Sequence, residues 1–167
     1  MDYFLAQNKD IDNCVKMRLL YILEEEPNLG NNKRLDLEKT LKDYFNNKLN
    51  KDVFCFLAKD DEKVVGMAIL LIIERPANTY LTNGLAGEVL SVIVDKDYRN
   101  RGIAYNLMTN LINFSKEKNL CRIDLRATEK GFTLYKKLDF KDHPFKCQEM
   151  TYFIRWLYFN DCRWFYE

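Results

Sequence analysis

Histidine, paired cysteines and long apolar runs are scarce in this sequence, and each absence excludes a class of site. The only histidine, His143, stands beside Pro144 in a predicted turn, without clustered ligand partners. We therefore expect no metal site and no histidine-based catalytic triad. The cysteines never form a C-x-x-C pair, which argues against a zinc site and against a disulfide framework. We expect reduced, mostly buried thiols at Cys14, Cys55, Cys121, Cys147 and Cys162.

An excess of one charge sign is also missing. The 26 lysine and arginine residues balance 25 aspartate and glutamate residues, which leaves a formal net charge of +1. Because a nonspecific nucleic-acid binder needs a broad positive field, we expect no nucleic-acid partner. The longest apolar run, 64–73, contains Gly66 and is too short to span a bilayer, and the N-terminus carries no secretory signal pattern. We expect a cytoplasmic protein with no membrane partner.

The sequence does contain enough apolar material for one folded unit. Hydrophobic residues make up 47% of the 167 residues, so the chain can bury most of the surface that its unfolded form exposes. We find no internal repeat, low-complexity tract or linker. We expect a single domain over residues 1–167.

Hydrophobic periodicity predicts an α+β fold with a mixed sheet. The predicted strands are 3–5, 53–58, 64–73, 89–94, 121–125, 140–141 and 150–156. The predicted helices are one capped by Asp10 or Asp12 and ended by Pro27, one over 35–49, one from Arg101 to Lys118 and one over 131–138. Five polar residues join 53–58 to 64–73, which indicates an antiparallel hairpin. A helix separates 89–94 from 121–125, which predicts a right-handed crossover between parallel strands.

A basic, glycine-containing turn links the strand 89–94 to the helix that follows it. Unpaired backbone N–H groups and the positive end of the dipole at a helix start can hold a phosphate. Gly102 lets these N–H groups approach a diphosphate without a Cβ in the way, and Arg99 and Arg101 add charge-assisted hydrogen bonds. The segment therefore predicts a pyrophosphate site. Its residues are Arg99, Asn100, Arg101, Gly102, Ile103 and Ala104.

Together with a second motif, this turn resembles the Gcn5-related N-acetyltransferase (GNAT) superfamily over essentially the whole chain. Residues 99–104 match the family's R/Q-x-x-G-x-G/A turn, and residues 128–135 resemble its N-x-x-A-x-x-L-Y segment. The chain departs from the family at Thr128, Gly131 and Asp139, where asparagine, alanine and glycine are usual. The resemblance implies a GNAT-like acyl-CoA N-acyltransferase fold: a mixed, mostly antiparallel sheet with a splayed parallel pair, flanked by about four helices.

The resemblance also implies acetyl-CoA as the co-substrate, with no metal. The pantetheine arm of the coenzyme would pair with the main chain of Val92, Ile93 and Val94, and Thr128 takes the place of a further contact. The implied reaction is transfer of the acetyl group to a primary amine by direct attack in a ternary complex. A small amine, polyamine or amino sugar is the expected acceptor. The alternatives are a protein N-terminus or lysine, or a non-catalytic acyl-CoA sensor.

Two side chains match catalytic positions of the family. An alkylammonium with a pKa of about 10.4 is neutral in roughly one part in a thousand at pH 7, so a base must accept its proton. Glu88 stands where many relatives carry such a base, although a solvated glutamate at a strand end is an equal alternative. Tyr135 stands where relatives donate a hydrogen bond to the departing thiolate, and a core tyrosine is the alternative.

Two further segments are candidates for substrate or partner contacts. Glu24, Glu25 and Glu26 end the first helix, where negative charge is mildly unfavourable. A cationic amine would offset this repulsion, so Glu24 and Glu25 are candidate acceptor-binding residues; a solvated run is the alternative. The aromatic tail 156–167 has three candidate roles: completing the core, covering the acceptor cleft, or forming a homodimer contact.

Overall fold

The computed structural model of the protein describes residues 1–142. Its strands are β1 (Asp2–Leu5), β2 (Val53–Asp60), β3 (Lys63–Glu74), β4 (Leu85–Val94) and β5 (Arg122–Leu125). Its α-helices are α1 (Ile11–Glu25), α2 (Asn31–Lys48), α3 (Ile103–Glu117) and α4 (Glu129–Lys137). The predicted turn at His143, the predicted strand 150–156, Cys147, Cys162 and the tail 156–167 lie outside the described residues.

The five strands form one mixed sheet in the order β1-β2-β3-β4-β5. All neighbours are antiparallel except β4 and β5, which run parallel. The predicted hairpin is confirmed, because Val53 pairs with Leu71 and the register runs to the turn between Asp60 and Lys63. The predicted crossover is confirmed as well, because α3 connects the two parallel strands. This is the mixed sheet with a parallel pair that the sequence predicts.

Alternation along each strand divides the core into two layers, one on each face of the sheet. On one face, Val53, Cys55 and Leu57 of β2 pack with buried residues of α1 and α2. On the other face, Phe54 and Phe56 pack with α3, and α4 adds partly buried residues. The sheet therefore separates α1 and α2 from α3 and α4. The separation matters because any ligand that contacts both helix layers must reach through or around the sheet.

Helix α3 packs closely on the sheet because its apolar stripe meets a glycine. Ile103, Leu107 and Leu111 are buried at helical spacing. A Cβ at Gly66 in β3 would lie 3.1 Å from both Ile103 Cγ2 and Leu107 Cδ1. The absence of that Cβ lets the start of α3 approach the sheet, which fixes the turn before it.

Three predicted elements differ from the structure. Strand β4 begins at Leu85, four residues before the predicted 89. Helix α2 begins four residues earlier than the predicted Leu35, because the polar residues 31–34 extend it to Gly30, whose carbonyl accepts a hydrogen bond from the Arg34 amide. The predicted strand 140–141 is wrong. The Phe140 amide donates to the Tyr135 carbonyl at 3.0 Å, and Asp139 adopts a left-handed φ of 63°, so the chain there closes the end of α4.

The expected burial of the cysteine thiols is found at two of the three described positions. Cys14 and Cys55 are buried as expected, whereas Cys121 is exposed. Within residues 1–142, no helix is both long enough and apolar enough to cross a membrane.

Candidate functional site

The predicted pyrophosphate turn has the backbone of an anion-binding helix start. Gly102 is the N-cap of α3 and adopts a left-handed conformation, with φ 74° and ψ 4°; Asn100 is also left-handed, with φ 62°. A Cβ on Gly102 would meet no described atom within 4 Å, so the space in front of the turn is open. The first amides of α3 have no carbonyl one turn earlier to accept their hydrogens. The turn thus presents free N–H donors to open space.

Both arginines of this turn are held by the protein. Arg99 donates from Nε to the Val94 carbonyl at 3.0 Å and forms an ion pair with Glu24 through Nη2. Arg101 donates from Nη2 to the Asp97 carbonyl at 3.0 Å. The sequence analysis gave Arg99 to the diphosphate of the acetyl donor and Glu24 to the amine acceptor, but the structure brings these two side chains into contact. We call residues 99–104 the donor turn. Glu25, the neighbour of Glu24, is exposed.

The parallel pairing of β4 ends before this turn, because β5 itself ends at Leu125. Strands β4 and β5 pair from Ala86 with Arg122 to Val89 with Leu125, and the described pairing stops there. Leu90 is an extra residue in β4, because Val89 pairs with Leu70 of β3 while Ser91 pairs with Ile69. Beyond it the described pairing of β4 is to β3 alone, so its other main-chain edge has no strand partner among residues 1–142, and we call the space beside that edge the gap.

The residues predicted to hold the pantetheine arm lie along this edge. Val92, Ile93 and Val94 pair with β3 through one edge of the strand. The side chains of Ile93 and Val94 are buried in opposite layers of the core, and Val92 is partly buried. Only their main chain is thus available to a ligand in the gap, as the resemblance implies.

Tyr135 lies half-buried on α4. Its ring meets the Phe140 ring edge to face, with centroids 5.9 Å apart. Burial raises the pKa of the Tyr135 phenol above its usual value, and the nearby Tyr21 phenol raises it further. The hydroxyl therefore keeps its proton, and its capacity to donate a hydrogen bond, to higher pH than a free phenol does.

Tyr21 and Tyr135 pack in different layers of the core. Tyr21 packs with the core layer under α1 and α2, whereas Tyr135 packs with the layer under α3 and α4. The Tyr21 phenol nevertheless lies close enough to raise the pKa of the Tyr135 phenol.

Gly131, the second departure from the family pattern, is in contact with Tyr135. A Cβ on Gly131 would lie 2.9 Å from Tyr135 Cε2 and 3.4 Å from Thr128 Oγ1. That oxygen accepts the Gly131 amide at 3.2 Å and caps α4. Thr128, predicted as a cofactor contact, thus has a local structural role for its hydroxyl.

Gly131→Ala is expected to displace the Tyr135 ring and to lower kcat about threefold to tenfold, with coenzyme affinity unchanged. Alanine is more favourable than glycine in a helix interior by about 1 kcal/mol, and this gain opposes the cost of the clash with the Tyr135 ring. We therefore expect the thermal midpoint to stay close to that of the wild type. Steady-state kinetics and a thermal melt check this. Gly30→Ala is the matched control, because a Cβ there meets no described atom within 4 Å. An unchanged kcat would mean that the ring position is not set by Gly131.

Glu88 lies on the α1 and α2 face of β4. It pairs with Leu71 of β3, which packs in that layer, and with Asp124 of β5. Paired residues project from the same face of a sheet, so the two carboxylates are neighbours. Arg122 donates from Nε to Asp124 Oδ2 at 2.9 Å. Asp124 was missed by the sequence reasoning, because a lone aspartate in a four-residue strand carries no pattern until the register is known.

Across 1–142, no three or more histidine, cysteine, aspartate and glutamate side chains are grouped so as to hold a metal ion.

Comparison with known proteins gives a consistent family. A model of the acetyltransferase (GNAT) family matches residues 17–140. The chain is similar to a predicted acetyltransferase from Clostridium acetobutylicum, whose crystal structure contains acetyl-CoA: identity is 29%, coverage is 90% of this chain and 95% of that one, and the TM-score is 0.76. A GCN5-related N-acetyltransferase from Ralstonia eutropha JMP134 has the same fold, at 18% identity over 89% of this chain and 97% of that one, with a TM-score of 0.73.

One curated relative is similar over part of its length. The glucosamine 6-phosphate N-acetyltransferase of Trypanosoma brucei brucei is 32% identical over 92 residues. The match covers 54% of this chain and 58% of that enzyme, which is less than two thirds of its length.

Proposed function

The chain belongs to the GNAT acetyltransferase family, and on that premise we propose that it transfers the acetyl group of acetyl-CoA to a primary amine. The observation that carries the proposal is the left-handed Gly102 turn after β4, a strand whose described parallel pairing ends at Val89. A diphosphate at the start of α3 and a thioester arm along the free edge of β4 would occupy these two features together.

The proposed donor contacts follow from the free main-chain groups. The diphosphate accepts hydrogen bonds from amides at 102–104, and the pantetheine arm pairs with Val92, Ile93 and Val94. An amide in the gap directed at the thioester carbonyl would stabilise the negative charge of the tetrahedral transition state by about 3 kcal/mol. The acetyl-CoA in the Clostridium acetobutylicum relative supports this donor.

The proposed chemistry is direct attack without an acyl-enzyme. The amine nitrogen forms a bond to the acetyl carbon, and the bond from that carbon to the coenzyme sulfur breaks. Glu88, beside Asp124, accepts the proton that the ammonium loses, directly or through water. Tyr135 donates a hydrogen bond to the departing thiolate. We propose a small amine, polyamine or amino sugar as acceptor, and the relative that acts on glucosamine 6-phosphate favours an amino sugar.

Thiol release from acetyl-CoA across a panel of acceptors tests this function. The panel contains an amino sugar, its 6-phosphate, a polyamine, a free lysine and a peptide with a free N-terminus, and each reaction is followed by mass spectrometry of the acetylated product. We expect at least one small amine to be acetylated in a stoichiometric reaction with thiol release. Preference for the peptide would favour a protein acceptor, and coenzyme binding without turnover on any amine would favour a non-catalytic sensor.

A further inference from the structure

Resting on this proposed function, we propose that the amine acceptor also carries an anionic group, a phosphate or a carboxylate, and that Arg18 binds it. Arg18 lies on α1, the helix whose Glu24 contacts Arg99.

Arg18 occupies an apolar position of its helix. Cys14 and Val15 of α1 are buried in the hydrophobic core. Arg18 follows them by four and three residues on the same side of the helix, where a hydrophobic side chain is expected. Its guanidinium lies 5.0 Å from the centroid of the Tyr21 ring. Its Nη1 atom is buried and has no hydrogen-bond partner among residues 1–142. A buried guanidinium donor without an acceptor costs free energy that a bound anion would recover.

Among residues 1–142, no acidic side chain compensates the charge of Arg18. Burial lowers the pKa of the guanidinium. The described groups that oppose this shift are the phenols of Tyr21 and Tyr44, and no carboxylate is among them. A half-buried cation normally has an ionised partner, because desolvating an unpaired charge is costly. The ring of Tyr21 supplies only part of this compensation. The missing partner is therefore a negative charge.

The position along α1 places Arg18 near the reacting groups. Arg18, Tyr21 and Glu24 follow one another at intervals of three residues, a rise of about 4.5 Å each along the helix axis. Glu24 contacts Arg99 at the donor turn, and Tyr21 lies near Tyr135. Arg18 is three residues further from Arg99 along the helix than Tyr21 is, and it lies about 9 Å from Glu24 along the helix axis. It therefore lies on the far side of Tyr21 from the coenzyme's diphosphate.

The strand opposite α1 carries a second unpaired polar group. Helix α1 packs against β4, and Ser91 projects from the same face of β4 as Glu88. Ser91 is 4% exposed, and its hydroxyl has no hydrogen-bond partner in the described part of the chain. Orphaned polar atoms thus occur on both walls of this region, a guanidinium nitrogen on the helix and a hydroxyl on the strand. A ligand with oxygen acceptors satisfies both.

The charges of this region suit a bipolar acceptor. Glu88 attracts the ammonium end of the acceptor beside Asp124, whose carboxylate also accepts a hydrogen bond from Arg122, while Arg18 attracts the anionic end. Arginine presents several N–H donors in one plane, which match two oxygens of a phosphate or carboxylate. The amine is then oriented by two opposite charges at its two ends. An acceptor without the anion would have only one of these contacts.

Matched pairs of acceptors that differ only in the anion test the site. Glucosamine and glucosamine 6-phosphate form the phosphate pair, and 4-aminobutanamide and 4-aminobutanoate form the carboxylate pair. We expect the wild-type protein to show at least a tenfold higher kcat/KM for the anionic member of one pair, and the pair identifies the anion. Arg18→Met is expected to reduce that ratio to near one, and Arg18→Lys to restore part of it. Lys16→Met, the loss of an exposed charge on the same helix, is expected to keep the ratio.

Each outcome decides the proposal. Turnover of both members of each pair by the wild-type protein, with ratios near one, overturns the anion site and leaves the acetyltransferase intact. A ratio that Arg18→Met and Lys16→Met lower equally also overturns it. If Arg18→Met does not fold, the wild-type ratios still decide. Coenzyme binding without acetylation of any amine removes the proposed function and the anion site together.

Discussion

Gly102→Asp is expected to lower the affinity for coenzyme A at least a hundredfold. Gly102 is left-handed at the start of α3 and faces open space, so a carboxylate there projects into the proposed diphosphate site. Two like charges 4 Å apart at an effective dielectric constant of 20 repel by about 4 kcal/mol. The aspartate also opposes the positive end of the helix dipole that would otherwise favour the phosphate. Isothermal titration with coenzyme A measures the effect.

Gly102→Asn is the matched control for this prediction. Asparagine has the shape of aspartate, tolerates a left-handed backbone and carries no charge. We expect it to weaken binding no more than about tenfold, so the difference between the two variants isolates the charge. Circular dichroism should show that both remain folded, because the added Cβ meets no described atom within 4 Å. Equal affinities for the two variants would mean that no phosphate lies at this turn.

The local parts of the fold could be predicted from sequence because their signals are local. The hairpin of β2 and β3 and the crossover through α3 follow from the alternation and helical spacing of apolar residues. The start of α2 could not be predicted, because residues 31–34 are polar and carry no periodicity. The strand predicted at 140–141 failed because the left-handed Asp139 turns the chain back on α4, and this conformation is invisible in an apolar pattern.

The candidate site divides in the same way. The glycine turn at 99–104 could be found because its residues are consecutive and its backbone requirement falls on Gly102. Arg18 and Asp124 could not be found, because their significance depends on the packing of α1 against β4 and on the register of β5. The ion pair of Glu24 with Arg99 joins positions 75 residues apart, which no spacing rule connects.

That ion pair links the two halves of the proposed site. Arg99 holds the end of β4 through the Val94 carbonyl, and Glu24 ties the last turn of α1 to the same guanidinium. A diphosphate bound beside Arg99 would compete with Glu24 for it, since both are anions. If the proposed donor binds there, its binding and the position of α1 would be coupled through one side chain, and α1 also carries Arg18 and Tyr21.

Tyr135→Phe is expected to lower kcat about tenfold to a hundredfold while leaving the affinity for coenzyme A unchanged. A free phenol has a pKa of about 10 and a thiol about 8.5, so complete proton transfer to the thiolate is uphill by about 2 kcal/mol. Burial raises the phenol pKa further, which makes transfer harder and keeps the donor protonated. The role that we propose for Tyr135 is therefore hydrogen-bond donation to the developing thiolate, a contact that would be stronger in the transition state than in the ground state.

The pH dependence and a control variant separate this role from a structural one. Since the raised pKa preserves the neutral phenol above the ordinary value of about 10, kcat of the wild-type protein should show no decline from Tyr135 ionisation below pH 10. Tyr80→Phe, a change at an exposed tyrosine between β3 and β4, should leave kcat unchanged. Because Phe140 still packs on the ring of a phenylalanine at 135, the thermal midpoint of Tyr135→Phe should stay close to that of the wild type. A wild-type kcat in Tyr135→Phe would remove the hydroxyl from the mechanism.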